Sequence, residues 1–453
     1  MKKKILIPSF ALLILIIIIS LFFTKNVIDK KATATAKKEL PIIIENVENE
    51  LDDLGLPSSI TYDDLQVSSS GGYLILDNVN LIEKTGENFS FDEIKIGASY
   101  NELFSIVKTR NFDEINSFYL EFKNIDYLAS KNSRKKDYSN QKVANYLKIE
   151  FDGKLTKEII NKIDQEFPNN KQNLTVSLKG FNFPEDDYLF QEIKKSIPSF
   201  SESMLETDLS LSIEYLPNLK KISIKDFNAE NDFGFLSGDF IVNYSGDSPS
   251  KFKTNRLEFN GQSAIDYKNA KLRDKEFSLG LGSGKVDFDF IINGDVKRMK
   301  EDDLLKSMIG SFNLILNDFD IKLSKKILRE INRDIPGFSS NYSRIKLKKY
   351  DQDFKWDGKS LKNKMNFYTS LGSVKSDIDM DLKLNRRGDP DFDRSKLNKC
   401  YIRIGDLDKN INELFKSFEN EFLMGQSFPR KGNDILINVT GSFSNPKIEG
   451  LNL

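Results

Sequence analysis

Histidine is absent from the 453 residues, and with it go the commonest general base near neutral pH and the commonest metal ligand. A Ser-His-Asp triad, a His-Cys dyad and an HExxH zinc site are excluded. The only cysteine is Cys400, so no intrachain disulfide and no CxxC site can form. Its surroundings, "KCYIRI", read as a strand carrying a small, buried or half-buried side chain rather than a nucleophile. Tryptophan also occurs once, at Trp356 in "DFKWDG", with no interleaved basic and aromatic residues around it. An anchor in a sheet or a chain-end contact is expected there, not a base-stacking platform. Finally, charge of one sign is missing. The 67 Lys plus Arg nearly cancel 68 Asp plus Glu, so no global field draws in nucleic acid or an acidic substrate, and no nucleic-acid partner is expected.

What the chain does have is length for about two or three domains and a long apolar start. Lys2, Lys3 and Lys4 precede "ILIPSFALLILIIIISLFF", nineteen uncharged residues from Ile5 to Phe23. As a helix this run covers about 28 Å, close to the hydrocarbon thickness of a bilayer. It is a membrane span or a signal sequence. A signal's apolar region is shorter and closely followed by a small-x-small site, whereas "ATATA" (32–36) comes only after Lys25, Asp29, Lys30 and Lys31. An uncleaved anchor is the favoured reading, with the N-terminus in the cytoplasm and residues 26 onward outside the inner membrane.

Beyond the anchor, strict alternation dominates. Leu174, Val176 and Leu178 share one face; so do Leu209, Leu211, Ile213 and Tyr215; Val286, Phe288 and Phe290; Ile378, Met380, Leu382 and Leu384; and, near the end, Ile435, Ile437 and Val439. Period two with one greasy side predicts half-buried antiparallel strands. Weaker runs cover 73–81, 91–96, 118–125, 222–227, 235–244 and 257–267. Gly71-Gly72, Gly246-Asp247, Gly388-Asp389-Pro390 and Asn445-Pro446 read as the breaks between them.

Helices interrupt the strands. "EIINKIDQEFP" (158–168), "YLFQEIKKSIPSF" (188–200) and "KILREINRDIPGF" (326–338) superpose without a gap, and each stops at a proline, Pro168, Pro198 or Pro336. Phe151, Phe181 and Phe319 align upstream, and Leu414, Phe415, Phe418 and Phe422 form a less complete fourth copy. An internal duplication and an ordinary core-facing helical pattern both fit. The predicted fold is α+β, predominantly antiparallel β: an N-terminal transmembrane helix followed by repeated twisted sheets, each packed with an amphipathic helix. The expected organisation is anchor and flank over 1–36, an N-terminal β region with an initial helix over 37–135, and sheet-plus-helix units over 143–300 and 301–453. "SKNSRKKDYSNQK" (130–142) is the best linker candidate.

No motif points to catalysis, a cofactor or a metal. "GLGSGKV" (280–286) has Leu279 and Val286 where a phosphate loop needs glycine and Ser or Thr, so it reads as a hairpin turn. "DPDFD" offers Asp389, Asp391 and Asp393, but Arg394 and Cys400 stand where a calcium loop needs glycine and glutamate. An envelope hydrolase is disfavoured by the missing histidine and by the absence of a nucleophile motif; the chain is not expected to be an enzyme.

The basic anchor, "ITYDDLQVSSSGGYLILDNVNL" (60–81), the repeated one-faced strands and the closing "VTGSFSNPKI" (439–448) together resemble the AsmA-like family of bacterial envelope proteins. Gly441, Asn445, Pro446 and Lys447 are the most family-like stretch. The Pro-terminated helices are not a feature of that pattern, and helix-plus-sheet units also resemble tubular lipid-binding domains. What the resemblance implies is an inner-membrane anchor, a β-sheet groove in the periplasm, and a role in moving or organising lipid. Membrane lipid is then the expected partner, with other envelope proteins as further ones. The lipid-facing candidates are Leu174, Val176, Leu178, Ile378, Met380, Leu382, Ile435, Ile437 and Val439. The alternative is a non-catalytic scaffold or assembly factor with a closed core.

Overall fold

In the computed structural model the alternating runs form antiparallel strands. The structure describes residues 58–68, 72–83, 88–98, 114–128, 141–156, 166–182, 206–266, 271–273, 277–280, 282–299, 301–334, 340–385, 389–423, 425–442 and 445–451, and positions 37, 38, 41, 44, 45, 48 and 49. The expected anchor (1–36) and the helix segments 157–165 and 188–200 lie outside them. Among the described residues no helix is long and apolar enough to cross a membrane. The chain divides into two compact units.

The first unit comprises Met1–Glu185, Leu205–Asn231 and Tyr244–Phe252. Its strands are β1 (Ser58–Thr61), β2 (Asp64–Ser68), β3 (Tyr73–Glu83), β4 (Asn88–Gly97), β5 (Glu114–Leu128), β6 (Gln141–Thr156), β7 (Gln172–Phe181), β8 (Thr207–Leu216) and β9 (Lys221–Asn231). β1 and β2 both pair with β3, and from β3 to β9 each strand pairs antiparallel with the next. Register aligns apolar side chains across the whole meander: Leu76, Ile94, Phe122, Leu147, Leu178 and Leu209 form one row. Leu74, Ile96, Leu120, Ile149, Val176 and Leu211 form the next.

The alternation in this unit changes phase along a line that crosses the strands. In β3, Leu74 and Leu76 are buried, then Val79 and Leu81; in β5, Phe118, Leu120 and Phe122, then Ile125. The step of three instead of two is made possible by left-handed residues, Asn78 (φ 51°) and Asn124 (φ 49°), with Gly180 (φ 61°) in β7. Asparagine tolerates this region better than other residues with a Cβ, because its short amide bonds locally. Asn78 Nδ2 donates to Asp63 Oδ2 at 2.8 Å, Asn124 Nδ2 to Asp92 Oδ2 at 2.6 Å, and Gly180 N–H to Asp208 Oδ1 at 2.8 Å. Behind this line the core gathers at the β1–β6 end, where Leu120 and Phe122 have no exposed surface and Ile44 packs with them. Toward β7 the same rows become half-buried.

The second unit comprises Asp186–Met204, Asp232–Asn243 and Lys253–Leu453. After β10 (Gly234–Ser245), most of which belongs here, its strands are β11 (Lys253–Asp266), β12 (Lys271–Arg273), β13 (Phe277–Gly280), β14 (Ser283–Asn293), β15 (Met308–Leu323), β16 (Arg344–Trp356), β17 (Ser360–Thr369), β18 (Ser373–Asp381), β19 (Lys396–Gly405), β20 (Arg430–Lys431), β21 (Asp434–Ser442) and β22 (Asn445–Ile448). Antiparallel pairing runs β11, β14, β15, β16, β17, β18, β19, β21, β22.

One turn reading is corrected here. β13 and β14 both pair with β15, Gly280 opposite Asp320 and Ser283 opposite Asn317, so "GLGSGKV" lies along one interrupted strand line and is not a hairpin turn. Gly282 sits where a Cβ would come within 1.8 Å of the Asn317 carbonyl oxygen, and Asp318 opposite is left-handed (φ 60°). This is the same phase change: Phe312, Leu314 and Leu316 give way to Phe319, Ile321 and Leu323 along β15. Asn445-Pro446 does follow a chain reversal, opening β22 antiparallel to β21 with Asn445 opposite Ser442 and Pro446 opposite Gly441. Among the described residues β22 pairs only with β21, and proline is tolerated at the start of such an edge strand because no ladder bond needs its missing N–H.

Among the described residues three helices accompany this sheet: α1 (Glu301–Ser307), α2 (Lys325–Asp334) and α3 (Lys409–Phe422). α2 is the helix expected over 326–338, whose last positions lie outside the described residues. Ser324 Oγ accepts from Ile327 N–H at 3.2 Å, satisfying one of the free donors at its start, and Ile327, Leu328 and Ile331 are half-buried. In α3 the expected apolar stripe is only partly turned inward. Phe418 is 44% exposed while Glu419 is 2% exposed, its carboxylate accepting from Arg430 Nη2 at 2.6 Å and Phe428 N–H at 3.1 Å.

Candidate functional site: an uncharged sheet face

Four consecutive rows define one face of the second sheet. The first contains Phe259, Phe290, Gly310, Trp356, Leu361, Met380, Leu397, Gly441 and Pro446, and the second Gly261, Phe288, Phe312, Phe354, Asn363, Ile378, Cys400, Val439 and Ile448. The third contains Ser263, Val286, Leu314, Gln352, Met365, Ser376, Ile402 and Ile437, and the fourth Ile265, Gly284, Leu316, Tyr350, Phe367, Val374, Ile404 and Ile435. No Asp, Glu, Lys or Arg occurs among these residues; beyond Ile435 the fourth row continues to Arg430 on β20, whose guanidinium is paired with Glu419 of α3.

The intervening positions carry the charge. Lys285 pairs with Asp287 at 3.1 Å, Lys349 with Asp351 at 3.4 Å and Lys362 with Asp379 at 3.6 Å; Lys399 bonds Asp377 and Arg403 bonds Asp434. Ionised groups are costly to remove from water, so this segregation keeps the charged face hydrated and leaves the other able to meet an apolar body without stranding a charge.

Aromatic rings thicken the uncharged face. Phe259 and Phe290 stack at 5.3 Å between centroids, Phe312 and Phe354 at 4.9 Å, and Phe240 lies 6.3 Å from Phe259. The Phe290 ring reaches over Gly310, where a Cβ would meet its Cδ1 at 2.3 Å. Most of the face is half-buried rather than sealed: Phe288, Phe312, Phe354, Met365, Ile378, Met380, Ile402, Ile437 and Val439 all retain accessible surface.

A polar group interrupts the face. Tyr350 Oη donates to Gln352 Oε1 at 2.6 Å, and Gln352 Nε2 donates to Asn363 Oδ1 at 2.8 Å. Burial raises the pKa of Tyr350 and keeps its hydroxyl protonated as a donor. On the neighbouring strand Ser376 is 8% exposed, and its hydroxyl has no hydrogen-bond partner. Cys400 lies two strands further along than Asn363; burial pushes its thiol up, away from the thiolate a nucleophile needs.

The sequence-predicted candidates fall into two groups. Leu174, Val176 and Leu178 occupy β7 in the first unit, half-buried, with Leu174 and Leu178 packed on the core cluster. In the second unit Ile378 and Val439 flank Cys400 in one row, and Ile437 and Ile435 follow on β21. Met380 shares its row with Trp356 and Leu361. Ile435 has no exposed surface, and Leu382, just past the end of β18, is 8% exposed with its N–H on the Lys359 carbonyl; neither offers surface to a ligand. Trp356 is 3% exposed and donates to the Leu305 carbonyl at 3.2 Å, an anchor at the end of its strand. Asp391 accepts from Arg394 N–H at 3.2 Å, capping a single 3-10 turn.

Sequence reasoning missed Phe312, Phe354, Gln352, Asn363 and Ser376. The signal for the last three was available: each is a polar residue at the apolar phase of an alternating run. No family model, no curated protein and no solved structure matches the chain.

Proposed function

We propose that the chain binds, organises or transfers lipid through the uncharged face of its β-sheet, tethered to a bacterial inner membrane by its first residues with the bulk in the periplasm. The observation that carries this reading is the combination of zero charge and half-burial across the rows from Phe259 to Ile448. A hydrocarbon tail laid on such a face gains about 0.8 kcal/mol for each methylene removed from water. A contiguous apolar surface of this kind on a folded chain calls for a ligand or partner. The AsmA-like resemblance of "VTGSFSNPKI" and of the basic, apolar N-terminus points the same way.

Native mass spectrometry of the full chain extracted in mild detergent tests it. Co-purifying phospholipid is the expected result. A clean apo mass, together with no binding of a fluorescent fatty acid, overturns the lipid reading in favour of a non-catalytic envelope scaffold.

A further inference from the structure

The Tyr350, Gln352 and Asn363 side chains, with Ser376 beside them, do not belong to an oily surface that merely repels water. Each hydrogen bond in the relay points the same way, from Tyr350 Oη to Gln352 Oε1 and from Gln352 Nε2 to Asn363 Oδ1. The relay engages the carbonyl oxygens of Gln352 and Asn363 and ends on the amide N–H2 of Asn363, a residue that is half-buried. Met365 is opposite Ser376 and Asn363 opposite Ile378, so Asn363 and Ser376 are diagonal neighbours on one face, about 7 Å apart. Ser376 contributes a hydroxyl that is more than nine-tenths buried and unpartnered. A buried hydroxyl left without a partner is destabilising, and an acceptor oxygen bound here satisfies it and meets the N–H donor of the neighbouring Asn363 amide.

We propose that Asn363 and Ser376 form a subsite for an uncharged acceptor oxygen of a bound lipid, of which the ester carbonyl is the fitting class, while Phe354, Met365, Ile378 and Ile402 receive the flanking hydrocarbon. The inference rests on the lipid reading above and refines it. An ester is favoured over a carboxylate or phosphate because no Lys or Arg flanks Asn363 or Ser376 in these rows, and Arg430, at the far end of the fourth row, is already paired with Glu419. It is favoured over plain hydrocarbon because hydrocarbon leaves both donors dry.

The test compares hexadecane with methyl hexadecanoate, each displacing a pyrene-labelled alkane from the full-length protein in detergent. The ratio of the two affinities is measured for the wild type, Asn363→Leu and Ser376→Ala. The expected result is that each variant shifts the ratio against the ester by about fivefold, the worth of one hydrogen bond, with hexadecane affinity retained; that retention also shows that the variants are folded. A ratio unchanged in both variants overturns the subsite and leaves the lipid reading standing. Failure of the wild type to bind either compound overturns both.

Discussion

Glu214 shows how charge is used on the side of the first sheet that faces water. Its carboxylate lies 2.6 Å from Lys171 Nζ and 2.8 Å from Lys225 Nζ, and these two hydrogen-bonded ammonium groups pull its pKa down to about 2. A carboxyl whose folded pKa is depressed stabilises the fold above its unfolded pKa, and that contribution disappears as pH falls through the folded value. Both lysines are about half exposed, so solvent screens the pair and its worth is about 0.5–1 kcal/mol. Glu214→Gln is therefore expected to lower stability by that amount at pH 7 and by progressively less between pH 4.5 and 2, as read from urea unfolding across the range; a pH-independent difference would contradict it. None of this was legible in the sequence, where Glu214 is one of 68 acidic residues and its partners lie on other parts of the meander. Residue-level chemistry was legible only through contrast. Gln352, Asn363 and Ser376 stand out because polar side chains occupy positions that alternation assigns to the oily side, and a deviation from a pattern carries more information than the pattern.

Three of the weak runs in the sequence, 73–81, 118–125 and 222–227, turn out to be strands with a left-handed residue, Asn78, Asn124 or Asp226, at a phase change inside them. Residues 73–81 alternate poorly by count, yet Leu74, Leu76, Val79 and Leu81 are all buried because Asn78 is left-handed and advances the register of faces by one. The same device made "GLGSGKV" look like a turn, since glycine marks left-handed and crowded backbone as often as it marks a reversal. Asn124 gives the cleanest test. Asn124→Gly keeps the conformation without strain and is expected to fall within about 0.5 kcal/mol of the wild type, whereas Asn124→Val forces a β-branched residue into the left-handed region at a cost of about 1–2 kcal/mol. Chemical denaturation of the two variants checks this, and equal stability would show that the phase change does not depend on the left-handed residue. Helix positions were legible in α2 and α3 from their apolar spacing, but not which way α3 rolls. The Glu419–Arg430 pair fixes that, and it links the helix to a strand eleven residues on, beyond the reach of helical periodicity.

At the scale of the molecule the chemistry is one of sidedness. Each sheet carries its apolar residues in aligned rows, and in the second unit the Lys285–Asp287, Lys349–Asp351 and Lys362–Asp379 pairs lie on the reverse. The predominantly antiparallel β character followed from period two alone, because only a pleat puts every second residue on one side. Which strands neighbour one another, and hence that Ile378, Cys400 and Val439 share a row, depends on long-range pairing that periodicity does not encode. The most direct test of the lipid reading exploits two adjacent residues that differ only in the side they face: a photoreactive amino acid placed at Met380 or at Asp379, irradiated in membranes, with the adducts weighed by mass spectrometry. The expected result is a lipid adduct at 380 and none at 379. Equal labelling at the two positions, or none at 380, would contradict it.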